Sequence, residues 1–237
     1  WEAFLNGPSL RERLMSRYLY EHLFLGHLHL AGTPDREFYR LVRSYSPPGE
    51  PVDEVPTVRP FDDPGPRPFW YRLRLDHQSV VAKDHVLYEW SDARMARYRA
   101  LFLAPDYEVK ALPSWAPEVA SNPLRAFVDI PVDSRYRFLL DDARFFIEGF
   151  IKGPVCRGQV ALNVIDDRFW VFFFSPDQRL RPDRDADVAA MADYLALPAS
   201  DAGSMNVLKI WTKYWKGQKT YLEAKQAWFE DFRAVRL

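Results

Sequence analysis

Apolar positions recur at helical spacing behind Ser9-Leu10-Arg11-Glu12, where Leu10, Leu14, Tyr18, Leu25 and Leu28 lie near one face. That tetrapeptide has the form of a capping box: the Ser oxygen takes an orphan backbone N–H, and the Glu side chain reaches back to the cap. The pattern predicts a helix to about Leu30, ended before Gly32, with Leu23 to Leu30 apolar nearly all round. A second helical stripe, Tyr136, Leu139, Leu140, Ala143, Ile147, Phe150 and Ile151, follows a cap at Asp133 or Ser134 and stops at Gly153-Pro154. Ser91 or Asp92 caps a shorter helix running to about Leu103. Asp185 to Leu195, Val207 to Trp215, and a third segment from the capping box Thr220-Tyr221-Leu222-Glu223 to about Val235 make the last third helical.

Other stretches have the period of strands. Phe69, Tyr71, Leu73 and Leu75 alternate with Trp70, Arg72 and Arg74, the pattern of a half-buried strand. Phe38 to Tyr45 and Phe127 to Ile130 are short strand candidates. Gln159 to Ile165 and Arg168 to Phe174 read as two strands about an Asp166-Asp167 turn. Between Pro47 and Pro68 lie eight prolines, which fix φ and remove donors, so neither helix nor central strand survives there. This long loop is either a stiff surface connection or a functional segment. The fold class expected is α+β: helices, a few short antiparallel strands and long Pro-rich loops. Two regions are expected. Residues 1–175 form a mixed region carrying the Pro-rich loop 46–68, and residues 176–237 form a mainly helical one.

Composition narrows the classes. Of 237 residues, 48% are hydrophobic and 27% charged, so the chain can build a core and disorder along its whole length is excluded. Aromatic residues reach 16%, including eight Trp, which serve either a bulky core or an apolar ligand or lipid interface. A formal net charge of -1 gives no counterion-release drive toward nucleic acid, so none is expected as a partner. No run of about 18 apolar residues spans a bilayer. Residue 1 is Trp rather than Met, which reads as a processed or excised piece. The lone Cys156 excludes an internal disulfide framework.

The familiar phosphate-binding, nucleophile-elbow and metalloprotease motifs are missing from the sequence. What remains are isolated candidates. His22 and His29 are a heptad apart on the first predicted helix, placed to approach a metal or haem, or to satisfy buried backbone groups. One helix supplies too few ligands for a transition-metal site, so no metal centre is expected. His77 and His85 flank Val80-Val81-Ala82 in a loop or strand, as surface or functional residues. Cys156 lies between glycines next to Arg157, which favours thiolate; the alternative is a buried, inert thiol. Glu148 interrupts an apolar run, either with a raised pKa or facing solvent with Asp141 and Arg144.

Three long stretches resemble the fatty-acid cis/trans isomerase family: Asn6 to Tyr18 continuing to Phe24, Phe38 to Ser44 with the Pro-rich loop and Arg59 to Gly65, and Phe145 to Ile165. The likeness covers roughly residues 2–175, as an internal portion of such a protein. It implies a bacterial periplasmic enzyme of the stress response that converts cis unsaturated acyl chains of membrane phospholipids to trans. The partners implied are those acyl chains and the membrane surface. It further implies haem c, attached through Cys-x-x-Cys-His. Cys156-Arg157-Gly158-Gln159-Val160 is not that motif, so the attachment site lies outside this chain. The reading opposed to this enzyme portion is a non-catalytic lipid-associating or scaffold module with an aromatic core.

Overall fold

The computed structural model describes residues 1–34, 37–76, 87–152, 173, 175–177, 190, 194 and 207–234; the side chains of 148–152, 207–211, 213–214, 228–229 and 231–234 are not described. The chain divides into two compact units. The first comprises Trp1–Pro60, Pro64–Leu112 and Asp133–Pro176; the second comprises Phe61–Asp63, Pro113–Val132 and Asp177–Leu237.

In the first unit, α1 (Glu2–Leu5) leads into α2 (Leu10–Leu23). The capping box at Ser9 forms as the sequence requires: Glu12 N–H donates to Ser9 Oγ at 3.2 Å, and Ser9 N–H donates to the Glu12 carboxylate at 3.0 Å. The hydrogen bonds from Ser9 hold the Glu12 carboxyl below its ordinary range. Leu14, Met15, Tyr18, Leu19 and Leu23 form the buried face of α2.

Helix α2 stops at Leu23, seven residues short of the expected end at Leu30, and the chain re-emerges as β1 (His27–Leu30). The His-Leu-His-Leu run is extended because it pairs in parallel with β4 (Leu87–Trp90), from His27 opposite Leu87 to Leu30 opposite Trp90. Strands β2 (Tyr39–Ser44) and β3 (Trp70–Leu75) pair antiparallel, and the sheet order is β3-β2-β1-β4. The fold is α+β, as expected, with a mixed sheet rather than a purely antiparallel one.

The alternation in β3 misleads in one respect: Arg72 is buried and Leu75 exposed. The Arg72 guanidinium donates to the carbonyls of Ser46, Pro47 and Glu50, and its Nε lies 3.0 Å from Glu2. It thereby ties down the start of the Pro-rich loop, where Pro47-Pro48-Gly49-Glu50 forms a turn closed by Glu50 N–H to Pro47 O at 3.3 Å. Gly49 has φ 96°, the conformation this turn demands at its third residue. The loop folds back further on: Tyr45 N–H donates to Asp53 O, Val55 N–H to Arg43 O, and Tyr45 Oη to Pro64 O at 2.8 Å.

The outer edge of β3 is met by side chains from α1 and the residue after it. The Asn6 amide donates to Tyr71 O at 2.8 Å and accepts from Tyr71 N–H at 2.9 Å, while Leu73 N–H donates to Glu2 at 2.8 Å.

After β4, Ser91 caps α3 (Asp92–Tyr98), which runs on into a wider turn over Arg99–Leu103 closed by Ala104 N–H to Arg99 O. The single helix expected to run to Ile151 is instead two, α6 (Val132–Asp141) and α7 (Ala143–Lys152), interrupted at Asp142.

The second unit contains α4 (Pro117–Ala120) and α5 (Pro123–Ala126), each opened by a proline at a position where no backbone N–H is needed. Asn122 caps α5 by accepting from Leu124 N–H at 3.0 Å. Phe127 to Ile130, expected as a strand, is a succession of turns: Phe127 N–H donates to Pro123 O and Ile130 N–H to Phe127 O. Both side chains are fully buried, so the apolar run marks burial rather than extension. The two helices expected at the C-terminus are one, α8 (Val207–Ala234). Thr220 Oγ1 donates to Lys216 O at 3.1 Å, a mid-helix back-bond, and so is not a cap. The glycine within this helix, Gly217, has a packing reason: a Cβ there would lie 2.7 Å from Tyr194 O. The strands expected at 159–165 and 168–174 and the helix at 185–195 lie outside the described residues, apart from isolated positions.

Candidate functional site

Four helical elements and one alternating strand bring the aromatic residues of the first unit together. On α2, Tyr18 and His22 are one turn apart, with ring centroids 4.0 Å from each other. On α3 and its extension, Arg94, Tyr98 and Phe102 follow at four-residue steps. On β4, Tyr88 and Trp90 are the two buried positions of an alternating strand. Phe138 comes from α6, and Phe145 and Phe146 from α7.

Phe138 is the hub. It is 1% exposed, and its ring lies 5.2–5.9 Å from those of Tyr18, His22, Tyr98, Phe102 and Phe146. From it the cluster runs through Phe146 and Phe145 to Tyr88, at 5.2 and 4.7 Å. In the other direction Tyr98 leads to Trp1, which stacks on Trp90 at 4.2 Å. Such offset and edge-on pairs contribute about 0.5–1.5 kcal/mol each beyond area burial.

Two polar features are set into this apolar mass. His22 Nδ1 lies 2.7 Å from Tyr18 O. A carbonyl only accepts, so Nδ1 carries the proton and Nε2 keeps its lone pair. Desolvation pushes the imidazole down to about 4, against the opposing Tyr18 hydrogen bond, so His22 is neutral at neutral pH although the residue remains partly accessible. Burial also pushes the Tyr18 phenol well above its ordinary range.

The second feature is a polar network. Tyr88 Oη donates to Asp142 Oδ2 at 2.7 Å, and Arg94 forms an ion pair with the same carboxylate. A phenol has one proton, so the 2.8 Å contact between the Tyr88 and Tyr98 hydroxyls is a donation from Tyr98 to Tyr88. Arg94 completes the arrangement, 4.7 Å over the Tyr88 ring. Burial, then neighbouring Tyr98 and Asp142, raise the Tyr88 phenol far above its ordinary range; burial chiefly raises Tyr98. Both phenols therefore remain protonated donors. The helix interruption at Asp142 is thus the point where the α6–α7 segment meets this network.

The candidates read from sequence fare differently. His22 lies in the cluster, but His29 does not share a helix face with it. Because α2 ends at Leu23, His29 sits on β1, its ring 5.9 Å from Phe38 and Nδ1 3.4 Å from Glu37 O. Cys156 and Arg157 lie outside the described residues, as do His77 and His85; the backbone of Glu148 is in α7, and its side chain is outside them. Asp141, grouped in sequence with the solvent-facing side, pairs with Arg97 at 2.7 Å. Sequence reasoning missed Tyr88, Arg94, Tyr98 and Asp142. The signals present were the four-residue step from Arg94 to Tyr98 and an Asp-Asp pair inside an apolar helix stripe, but nothing local joins them.

Among the described residues no group of three or more His, Cys, Asp or Glu is placed to hold a metal ion. An open depression of about 640 Å³ lies between the start of α2 and the segment after α3, lined by Ser9, Leu10, Arg11, Asp106, Tyr107, Glu108 and Val109. Its charged lining does not suit an acyl chain. Arg11 fills part of its wall, donating to the carbonyls of Leu103, Pro105 and Tyr107.

A family model described as fatty acid cis/trans isomerase matches residues 1–236, extending the likeness through the C-terminal helix. No curated protein and no solved structure gives a match.

Proposed function

The chain belongs to the fatty acid cis/trans isomerase family, and on that premise we propose that it is a portion of an enzyme converting cis unsaturated acyl chains of membrane phospholipids to trans. The match along nearly the whole chain carries this reading. A periplasmic location, the stress-response role and a c-type haem are part of the same proposal.

The reaction rotates groups about a carbon–carbon double bond, which requires its π component to be relaxed. General acid–base groups contribute typically 10²–10⁴-fold, too little for an unactivated alkene. Haem, when bound, supplies a one-electron acceptor equal to that task.

By its donor chemistry His22 is the residue that would hold the haem iron. Its Nδ1–H is held by the Tyr18 carbonyl, its Nε2 lone pair is unprotonated, and its charged form is disfavoured by the aromatic surroundings. Metal-ligating histidines have this tautomer-fixing bond on the distal nitrogen as a rule. The apolar rings beside His22 exclude water and offer dispersion contacts to a hydrocarbon chain. With Cys156 as the one cysteine, covalent attachment through Cys-x-x-Cys-His depends on sequence beyond residues 1–237. Reversible radical addition of the Cys156 sulfur is the alternative route: a one-electron oxidant takes the electron as the thiol proton leaves, the thiyl adds to one alkene carbon, and its departure after rotation restores the double bond.

The test uses the full-length protein with phospholipid vesicles, reading trans/cis ratios by gas chromatography and haem by absorbance. Conversion with a Soret band that shifts in His22→Ala is expected, and unchanged conversion in Cys156→Ala. Conversion by iron-free protein overturns the haem reading; loss of conversion in Cys156→Ala moves the chemistry to the thiol. The second reading, a lipid-associating module without chemistry, draws on the closed packing of Phe102 and Phe138, at 0% and 1% exposure. Absence of conversion by intact, haem-loaded protein establishes it.

A further inference from the structure

Helix α8 carries a charge pattern that the rest of the chain does not share. The whole protein has a formal net charge of -1. Within residues 207–220, however, Lys209, Lys213, Lys216 and Lys219 are unaccompanied by any acid; Glu223, Glu230 and Asp231 all fall in the second half of the helix. Lys209, Lys213 and Lys216 occupy successive i, i+4 and i+7 positions, one face of a helix.

Beside that face runs a stripe at positions 215, 219, 222 and 226: Trp, Lys, Leu and Gln, all exposed. Trp215 is 60% exposed and Leu222 51%. Lys219 makes only a loose contact with Glu223, at 3.7 Å with both side chains largely in solvent. A stripe that interleaves Trp215 and Leu222 with Lys219 and Gln226 on a long surface helix suits the boundary between lipid headgroups and acyl chains, where an indole has an apolar body and a polar tip to place. No helix among the described residues is long and apolar enough to cross a membrane, so such a helix would lie along the surface rather than through it.

We propose that the first half of α8, with Trp215 and Leu222, is a docking surface for an anionic phospholipid bilayer. Charge complementarity selects this occupant: the exposed Lys216 and Lys219, on a helix half whose sequence carries four lysines and no acid, suit lipid phosphates, and each lysine near such a surface strengthens binding roughly fivefold. Nucleic acid shares the charge but offers no apolar layer for Leu222. The inference rests on the lipid-acting reading above and deepens it by naming the surface.

The experiment is vesicle co-sedimentation of the full chain. One set of vesicles holds equal parts phosphatidylcholine and phosphatidylglycerol, the other phosphatidylcholine alone. Binding to the anionic set is expected, with loss at about 1 M salt, where the screening length falls to about 3 Å. Lys216→Gln/Lys219→Gln should weaken it roughly 25-fold and Trp215→Ser about tenfold, with unchanged far-ultraviolet circular dichroism. Equal binding to both vesicle sets, affinity unmoved by the lysine pair, or tighter binding to duplex DNA than to anionic vesicles overturns the proposal. Conversion of cis acyl chains presented in neutral detergent micelles separates the two readings. Conversion without anionic preference removes the docking surface alone; docking without conversion by the full-length, haem-loaded protein removes the isomerase reading and leaves the surface standing.

Discussion

The ionisation of His22 gives the sharpest test of the aromatic cluster. Its pKa falls from an ordinary 6.5 to about 4, with desolvation the largest cause. At 1.36 kcal/mol per decade this is about 3 kcal/mol, an upper bound because the residue keeps some contact with solvent. A depressed base stabilises the fold above its unfolded pKa, so this contribution is complete above pH 6.5 and is lost as pH falls through about 4. Glu21 opposes it. Burial raises that carboxyl to about 7, more than offsetting Arg17 at 2.8 Å, so its contribution is present below 4.5 and lost as pH rises through about 7. Over the shared window the two slopes have opposite signs and flatten the curve of stability against pH. A global unfolding curve thus conceals both groups, and the measurement must be residue-specific. Imidazole carbon and nitrogen shifts followed by NMR from pH 8 to 3, with His22→Gln for assignment, should place the His22 midpoint near 4 and, in the neutral form above it, the proton on Nδ1. A midpoint near 6.5, or a proton on Nε2 in the neutral form, refutes the placement of the ring and with it the case that His22 would hold the haem.

Phe138→Ala should cost about 3–5 kcal/mol in urea unfolding, since it empties the hub of a ring cluster whose neighbours come from four separate helical segments. A cost below about 1 kcal/mol would mean the rings are loosely arranged. In a double-mutant cycle, Tyr88→Phe and Asp142→Asn should couple by about 1 kcal/mol or more, because they share a charge-assisted hydrogen bond; additive effects would dissolve the network. Thr220→Ala should leave helicity by circular dichroism unchanged and stability within about 0.5 kcal/mol, whereas loss of a true cap costs about 1 kcal/mol.

What the sequence disclosed was local. Ser9 and Glu12 are three residues apart and need only each other, so their capping box was legible. The cap at Ser91 was legible for the same reason, and the strand Tyr39–Ser44 was legible from its own short aromatic and β-branched run. The failures come from distant partners. His27 to Leu30 is apolar enough for a helix and becomes a strand because Leu87 to Trp90 lies beside it. Arg72 reads as an outward residue of an alternating strand, yet is buried because carbonyls 22 to 26 residues earlier require donors. Of the candidate site, His22 was visible as a residue type; its tautomer and neutral state follow from Tyr18 one turn before and from rings on α6 and α7. Asp142 was hidden because a helix stripe says nothing about which hydroxyl waits across the interior.

Asn6 and Glu2 have a consequence reaching beyond a single molecule. Strand β3 ends the sheet, and an unshielded terminal strand is a template on which a second chain can assemble. By engaging both polar groups of Tyr71 and the Leu73 N–H, these two side chains stand where the backbone of an intruding strand would bind. Trimming the first six residues would therefore do two kinds of damage: it would strip the buried Phe4 and Leu5 and the Trp1 ring from the core, and it would bare a template on which copies of the shortened protein could aggregate.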